Sequence, residues 1–353
     1  MRVLVTGGAG FVGANLAIAL AERHPDWNVV AFDNLHRRGS ELNVPRLRAA
    51  GVTFAHGDIR EPADLDEVGE VEAIVECSAE PSVMAGLDSG ADYVVRTNLL
   101  GAHHCLELAR KHGAQLVFLS TSRVYPVEPQ NALRYREEET RFELEPEQPY
   151  EGVSERGISE RFPLAGARTL YGATKLAAEL LITEYAAAFG LKTVVDRFGV
   201  IAGPSQMGKV DQGVFTHWML SHYFRRELTY LGYGGRGKQV RDLIAIEDVV
   251  ELVEDQLLRP DHWAGFVANV GGGREISLSL AETTELCEEL TGNRISIGSD
   301  PQTRAGDVPI YLSDCDLLYG HTDWRPRRGP RQILEAIFLW INQHERAVER
   351  ALG

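Results

Sequence analysis

Hydrophobic and polar positions fall into two alternating patterns along the chain up to residue 200. Residues 2–5 form a short apolar run, a glycine-rich stretch follows, and residues 11–21 carry apolar side chains at helical spacing. This order predicts a strand, a tight turn and a helix. The same alternation returns several times further along the chain.

The later repeats of this alternation predict a layered fold. Further strands are predicted at residues 28–32, 52–54, 73–77, 115–120 and 193–197, and the clearest helices at residues 99–111 and 171–189. Strands that alternate with helices form parallel sheets with helices on both faces, and ligands bind beyond the carboxyl ends of the strands. We therefore predict an α/β fold with a doubly wound parallel sheet.

The pattern becomes less regular beyond residue 200, where glycine and proline cluster at residues 203–204 and 232–237. We expect a smaller, loop-rich C-terminal lobe that binds the substrate and shares a cleft with the sheet domain. The predicted division assigns residues 1–196 and about 238–268 to the sheet domain, and residues 197–237 and about 269–353 to the smaller lobe.

Composition and charge narrow the classes of function. Of the 353 residues, 44% are hydrophobic, and 51 Asp and Glu against 36 Lys and Arg give a formal net charge of −15. This acidity gives no global support for binding a polyanion such as DNA, so we expect no nucleic-acid partner. The N-terminal residues lack the apolar core of a signal peptide, and no apolar run reaches the roughly 18 residues of a membrane span. We expect a cytoplasmic protein with no membrane partner.

The cysteines lie far apart in the sequence. They are Cys77, Cys105, Cys287 and Cys315, and none forms a CxxC pair. Zinc sites and redox dithiols need closely spaced cysteine or histidine ligands. We expect reduced thiols and no bound metal.

The first predicted turn carries a GxxGxxG pattern at residues 7–13, between a strand and a helix. Glycine permits the tight turn and lets backbone N–H groups approach a pyrophosphate at the positive end of the helix. Asp33 ends the next predicted strand about 20 residues after Gly13, where a carboxylate accepts hydrogen bonds from the adenosine ribose. The negative charge of Asp33 would repel the 2′-phosphate of NADP, so we predict that a Rossmann-type sheet binds NAD. NADP remains an alternative because Arg37 and Arg38 follow closely in the sequence.

A second pattern is the YxxxK of Tyr171 and Lys175, which lie four residues apart and so share one face of a predicted helix. An ammonium group beside a phenol favours the phenolate, so Tyr171 could act as a general base near neutral pH. Lys175 could also hold the nicotinamide ribose. The pattern follows a predicted strand that ends in the hydroxyl-bearing residues Ser120, Thr121 and Ser122.

The chain resembles the extended short-chain dehydrogenases/reductases, the group that contains the nucleotide-sugar epimerases and dehydratases. The resemblance covers nearly the whole chain through the motifs TGGAGFVG, FDNL, HGDIR, RTNLLGA, STSRVYP, YGATK and QVRDL. It implies a tightly bound, recycled NAD, a nucleotide-diphosphate sugar substrate and a catalytic triad of Thr121, Tyr171 and Lys175. Thr121 takes this role because it stands four residues before Tyr125.

The resemblance also implies which residues bind cofactor and substrate. The expected cofactor contacts are Gly7, Gly10, Phe11, Val12, Gly13, Asp33, Asn34, Asp58, Ile59, Ser78, Ala79, Asn98, Tyr171 and Lys175. The expected substrate contacts are Thr121, Ser122, Gln212, Gln239, Arg241 and Arg304. Arg241 and Arg304 are candidates for binding the diphosphate, because a guanidinium group binds phosphate oxygens bidentately.

Departures from the family's motifs narrow the expected reaction. The dehydratases carry an acid pair after the catalytic threonine, and the sugar-nucleotide decarboxylases carry a glutamate where this chain has Arg123. Both reactions are therefore disfavoured, which leaves epimerisation and, less favoured, a net dehydrogenation. The common 4-epimerases also have an asparagine shortly after the arginine of the sixth strand, whereas Arg197 is followed here by Phe198, Gly199 and Val200.

Three segments are similar to the CDP-paratose 2-epimerases, also called CDP-tyvelose epimerases: EETR in the long insertion 126–170, DQG at 211–213 and GKQVRD at 237–242. The resemblance implies C2 epimerisation of a CDP-deoxy sugar through a transient keto sugar. A 4-epimerase or a UDP-uronate decarboxylase acting on UDP or dTDP sugars, and a noncatalytic NAD-binding sensor, remain alternatives.

We also expect a homodimer in which the helices at 99–111 and 171–189 form a four-helix bundle.

Overall fold

The computed structural model describes residues 1–86, 90–208 and 213–352. The chain is divided into two compact units, each built from three segments. The first unit comprises Met1–Thr121, Leu170–Arg197 and Val249–Val267, and the second comprises Ser122–Thr169, Phe198–Asp248 and Ala268–Gly353.

This division differs from the expected one in the segment 122–169, which was assigned to the sheet domain but belongs to the second unit. Its backbone explains the difference. The N–H of Phe142 donates to the carbonyl of Lys238 at 3.0 Å, and the N–H of Ile158 donates to the carbonyl of Leu312 at 2.8 Å. These partners lie far away in the sequence, so local patterns give no sign of them.

The bounds of the regular elements are as follows, numbered in chain order. The strands are β1 Arg2–Thr6, β2 Asn28–Asp33, β3 Thr53–His56, β4 Ala73–Glu76, β5 Gln115–Thr121, β6 Tyr135–Glu137, β7 Phe142–Leu144, β8 Val153–Ser154, β9 Gly157–Ile158, β10 Thr193–Phe198, β11 Val200–Ala202, β12 Leu228–Leu231, β13 Val240–Ala245, β14 Phe266–Val270, β15 Ser277–Ser279, β16 Ile297–Asp300 and β17 Ile310–Tyr311. The α-helices are α1 Phe11–Arg23, α2 Asn43–Ala49, α3 Pro62–Asp66, α4 Asp92–Val95, α5 Gly101–His112, α6 Val127–Asn131, α7 Leu170–Phe189, α8 Val214–Tyr223, α9 Ile246–Leu258, α10 Pro260–Trp263, α11 Leu280–Thr291, α12 Asp316–His321, α13 Pro330–Gln343 and α14 Glu345–Leu352.

A seven-stranded sheet has the strand order β3-β2-β1-β4-β5-β10-β14. Strand β1 pairs in parallel with β2 and β4, β2 with β3, and β4 with β5. Val3, Leu4 and Val5 of β1 are fully buried, as expected for a parallel strand covered on both faces. The predicted α/β class with a doubly wound parallel sheet is confirmed. All six predicted strands form, with ends that differ by at most two residues.

Helices α5 and α7 supply much of the apolar core of the first unit. Helix α5 contributes Cys105 and Leu106, and helix α7 contributes Ala178 and Ile182, to a cluster that includes Leu116 of β5. Burying an aliphatic side chain of this size stabilises the fold by about 1.5–3 kcal/mol. These contacts hold the middle of α7 in the core of the first unit.

A π-helical turn at Arg96–Leu100 joins α4 to α5, so the helix predicted at residues 99–111 begins earlier than expected. Such turns are rare and occur frequently at functional sites. Asn98 lies within this turn and is buried. Among the helices of the described residues, none is long and apolar enough to cross a membrane.

The second unit has its own core and smaller sheets. Strand β13 pairs with β11, β15 and β17, which explains why residues 238–248 belong to this unit rather than to the sheet domain as expected. Strands β12 and β16 form a separate pair. Helices α8, α11 and α13 enclose a cluster that includes Met219, Cys287 and Ile337.

Candidate active site

The turn between β1 and α1 brings backbone atoms unusually close together. Gly7 has a φ of +61°, a left-handed conformation that favours glycine. A Cβ added at Gly13 would lie 2.3 Å from the carbonyl oxygen of Gly7, and one at Gly8 would lie 2.6 Å from the Cα of Ala31. Only glycine fits at Gly8 and Gly13, so the backbone can form the close turn that a pyrophosphate site at a helix N-terminus needs.

Asp33 ends β2 next to this turn. Its carboxylate accepts hydrogen bonds from the N–H of Ala9 at 3.1 Å and from the N–H of Leu35 at 2.7 Å. Burial raises the pKa of Asp33, while these backbone donors act in the opposite direction. The carboxylate is thus held in place beside the glycine turn, where the sequence predicts a contact with the adenosine ribose. Phe11, Val12 and Gly10 form the start of α1.

The segment after β3 is tied to the segment after β2. The Asn34 amide donates to the Asp58 carboxylate at 3.0 Å, and Arg60 holds the same carboxylate at 2.6 and 2.9 Å. The hydrogen bonds from Arg60 hold the pKa of Asp58 well below its usual range. Ile59, the residue between Asp58 and Arg60, is buried, and its carbonyl accepts a hydrogen bond from His104 at 2.9 Å.

Asn98 connects three parts of the first unit. Its side chain accepts from the N–H of Glu80 at 2.8 Å, and it donates to the carbonyl of Glu80 at 3.1 Å and to the Thr174 hydroxyl at 3.1 Å. The loop that contains Ser78 and Ala79 is thereby fixed to helix α7. The structure thus gives Asn98 a role in positioning this loop, and its expected cofactor contact remains a prediction.

Helix α7 presents Tyr171 and Lys175 one turn apart on one face, as predicted. Lys175 is buried, and its ammonium lies 3.3 Å from the carboxylate of Glu76 at the end of β4. The ring of Phe118 on β5 lies 3.8 Å from the same ammonium. Glu76 was missed in the sequence analysis, although a carboxylate that ends a wholly apolar strand is a signal.

Glu179 lies one further turn along the same face of α7 and fixes the helix to two strands. Its carboxylate accepts from Arg197 of β10 at 2.7, 3.1 and 3.2 Å and from the Ser120 hydroxyl of β5 at 2.5 Å. Ser120 directly precedes Thr121, which is buried at the end of β5. A buried ion pair therefore holds the face of α7 that carries Tyr171 and Lys175 to β10, and the Ser120 hydrogen bond holds it to the end of β5.

Four further expected substrate contacts lie in the second unit: Ser122, Gln239, Arg241 and Arg304. Ser122 begins a short 3₁₀ turn. Gln239 is buried and donates through Nε2 to the carbonyls of Leu231 and Gly232, while its Oε1 has no hydrogen-bond partner among the described residues. Gln212 lies outside the described residues.

The two candidate diphosphate-binding arginines differ in their surroundings. Arg241 donates to the Asp307 carboxylate and to the Val308 carbonyl, both at 2.7 Å, so protein acceptors already occupy part of its guanidinium group. Arg304 is exposed in the loop before Asp307. Both diphosphate contacts remain predictions.

The side chains in the described ranges include no group of three or more His, Cys, Asp or Glu that could hold a metal ion. A glycine turn for pyrophosphate and a Thr, Tyr and Lys set on β5 and α7 lie in one unit. Residues 3–271 match the family described as NAD dependent epimerase/dehydratase. The chain belongs to this family.

Relatives within the epimerase/dehydratase family span nearly the whole chain. The CDP-paratose 2-epimerase of Salmonella typhi is 29% identical over an alignment of 355 positions, gaps included. The alignment covers 97% of this chain and 99% of that protein. The UDP-glucose 4-epimerase of Erwinia amylovora is 26% identical over 98% of each chain. The structure of the Thermus thermophilus UDP-glucose 4-epimerase in complex with NAD has a TM-score of 0.76 at 25% identity, covering 97% of this chain and 99% of that one.

Membership of the epimerase/dehydratase family confirms the expected enzyme class and the expected NAD dependence. The named relatives invert different carbons of different nucleotide sugars. Family membership therefore does not assign the reacting carbon, the nucleotide or the residues that contact them.

Proposed function

We propose that the protein is an NAD-dependent nucleotide-sugar epimerase that inverts C2 of a CDP-deoxy sugar. The conversion of CDP-paratose to CDP-tyvelose is an example of this reaction. One observation supports an NAD-dependent epimerase most strongly: Thr121, Tyr171 and Lys175 lie in the same compact unit as a glycine turn suited to NAD. The full-length similarity to a CDP-paratose 2-epimerase favours the C2 reaction.

In the proposed mechanism the chain's own residues transfer one proton, that of the C2 hydroxyl. The Tyr171 phenolate removes the proton of the C2 hydroxyl, and the Thr121 hydroxyl orients that oxygen. Lys175 stabilises the phenolate through its positive charge. NAD held by the glycine turn and Asp33 would supply the hydride acceptor and donor for inversion at C2.

Arg123 favours epimerisation over the other reactions of the family. Elimination of water from a keto sugar needs a carboxylic acid after the catalytic threonine, and this chain has Ser122 and Arg123 there. The Arg123 guanidinium donates to the carbonyl of Gly306 at 2.9 Å within the second unit. A cation in this place cannot deliver the proton that dehydration requires.

We also propose that Arg241 and Arg304 bind the diphosphate and that Gln239 contacts the sugar or the base. The unpartnered Oε1 of Gln239 supports this proposal, because buried polar atoms in proteins almost always have a partner. Arg304 has the freedom to bind a phosphate because it is exposed.

The first test identifies both the cofactor and the reaction. The purified protein is denatured and the released nucleotide is identified by mass spectrometry. Fresh protein is then incubated with CDP, UDP, dTDP and GDP sugars without added cofactor. Release of NAD and formation of a C2 epimer of a CDP-deoxy sugar are expected. Inversion at C4, or carbon dioxide from a UDP-uronate, would refute the C2 proposal.

A second test concerns the catalytic residues. Tyr171→Phe and Thr121→Ala should each lower kcat by about 10²–10⁴-fold, the usual contribution of a positioned acid–base group, while NAD stays bound. Tyr185→Phe is the matched control, because this phenol lies on the same helix and bonds Glu107 at 2.5 Å instead. A Tyr171→Phe variant with the activity of the Tyr185→Phe variant would exclude Tyr171 as the base.

A further inference from the structure

A buried ion pair joins Lys175, one of the proposed catalytic residues, to Glu76. Glu76 and Lys175 each expose only 2% of their side chains, and 3.3 Å separate the carboxylate oxygen from the ammonium nitrogen. Glu76 ends β4, whose other three residues are Ala73, Ile74 and Val75, all buried. A carboxylate in such a strand is unfavourable unless a cation pairs with it.

Lys175 retains hydrogen-bonding capacity beyond this pair. An ammonium group has three N–H donors. Within the described part of the chain, Glu76 accepts one of them and the face of the Phe118 ring attracts the charge from 3.8 Å. A donor therefore remains for a bound group.

We propose that Glu76 is a positioning residue that keeps Lys175 charged and directed toward the nicotinamide ribose, leaving one N–H free to bind it. This inference rests on the proposed function only for turnover, since NAD dependence follows from the family.

The surroundings make Glu76 the only anionic partner of Lys175 among the described residues. Burial raises the pKa of Glu76, whereas Lys175 and the N–H of Ser78 lower it. Two thiols are also within electrostatic reach, Cys77 beside Glu76 and Cys105 on α5, and burial raises the pKa of both, so they stay neutral. Tyr171 lies one helical turn before Lys175.

Removal of the carboxylate has a defined consequence for Lys175. A buried ammonium without a counter-ion loses its proton at a lower pH than a paired one, because desolvation disfavours the charged form. Glu76→Gln removes this counter-ion, so NAD binding that depends on the ammonium should weaken more at high pH than at low pH. In Glu76→Asp the charge is retained and only its distance from Lys175 changes.

The pair itself is tested by a double-mutant cycle in urea unfolding at pH 7. Glu76→Gln and Lys175→Met should each lower the unfolding midpoint, because each leaves a buried partner behind. The double variant should unfold at a higher urea concentration than the sum of the two single losses predicts. Additive losses would show that the two side chains do not interact and would overturn the proposal.

The role toward the cofactor is tested by NAD titration of protein freed of nucleotide. Wild-type affinity should change little between pH 6.5 and 8.5. Relative to wild type, Glu76→Gln should lose at least about tenfold more NAD affinity at pH 8.5 than at pH 6.5. Glu76→Asp should keep most of the wild-type affinity at both pH values. An unchanged pH dependence in Glu76→Gln would refute the proposal even if the variant is less stable.

Glu179→Gln is the matched control for this titration. It also removes a buried carboxylate from a cation, but that cation is Arg197, which keeps its charge at every pH used. The control should lower stability without adding a pH dependence to NAD binding. If the NAD titrations follow these expectations while no nucleotide sugar is converted, the proposed function fails and the role of Glu76 stands.

Discussion

At the scale of single residues, Asp196 of β10 is a carboxylic acid enclosed by protein. It is fully buried, and the Gln256 amide donates to its Oδ1 at 2.9 Å. Its Oδ2 has no hydrogen-bond partner among the described residues. Burial raises the pKa of Asp196 to about 7, with the bond from Gln256 acting in the opposite direction.

The raised pKa of Asp196 predicts a pH-dependent stability. The unfolded chain releases this proton near pH 3.8, whereas the folded protein holds it up to about pH 7. The contribution of the neutral acid is therefore fully present below pH 4 and is lost as the pH rises through 7. Asp196→Asn mimics the neutral acid and should be more stable than wild type above pH 8, by on the order of 2–4 kcal/mol.

Urea unfolding of both proteins from pH 4 to pH 9 measures this difference. The two stability curves should converge near pH 4 and separate as the pH approaches 7. Curves that run parallel over the whole range would show that Asp196 is ionised in the folded protein.

At the scale of elements, the β1–α1 turn depends on Gly13. A Cβ there would lie 2.3 Å from the Gly7 carbonyl oxygen, a backbone atom that cannot move without opening the turn. Gly13→Ala should therefore lower NAD affinity at least about tenfold, because each 1.4 kcal/mol of lost binding energy weakens affinity by that factor. Isothermal titration with NAD measures the loss.

Gly320→Ala is the control for the glycine turn. Gly320 lies in α12, and a Cβ there would meet nothing within 4 Å. It should bind NAD like the wild type and melt at the same or a slightly higher temperature, since alanine favours helix by up to about 1 kcal/mol. Equal NAD affinities of the two variants would show that the turn tolerates a side chain.

The elements of the sheet could be predicted from the sequence because buried parallel strands are continuous apolar runs and glycine turns separate them from helices. The Tyr171 and Lys175 face follows from helical spacing alone. The partners of that face could not be predicted in this way. Glu76 lies 99 residues from Lys175 along the chain, so only the folded sheet brings them together.

At the scale of the whole molecule, helix α7 carries an apolar residue that the described part of the chain leaves largely uncovered. Leu180 is 63% exposed on the helix that we expect to form a dimer bundle with α5. The net charge of −15 opposes association of two copies, and an apolar contact of this kind would favour it. We propose a homodimer with two-fold symmetry in which each Leu180 is buried by the partner.

Leu180→Glu places a further negative charge in that proposed contact and should convert the dimer to a monomer, while the circular dichroism of the folded chain stays unchanged. Leu258→Glu is the matched control, because Leu258 is 54% exposed at the end of α9, outside the proposed bundle. Sedimentation equilibrium measures both masses. Since a dimer interface buries its apolar centre, a charge there costs far more than the same charge at a solvated site. A dimeric Leu180→Glu variant, or a monomeric wild type, would exclude this face of α7 as the interface.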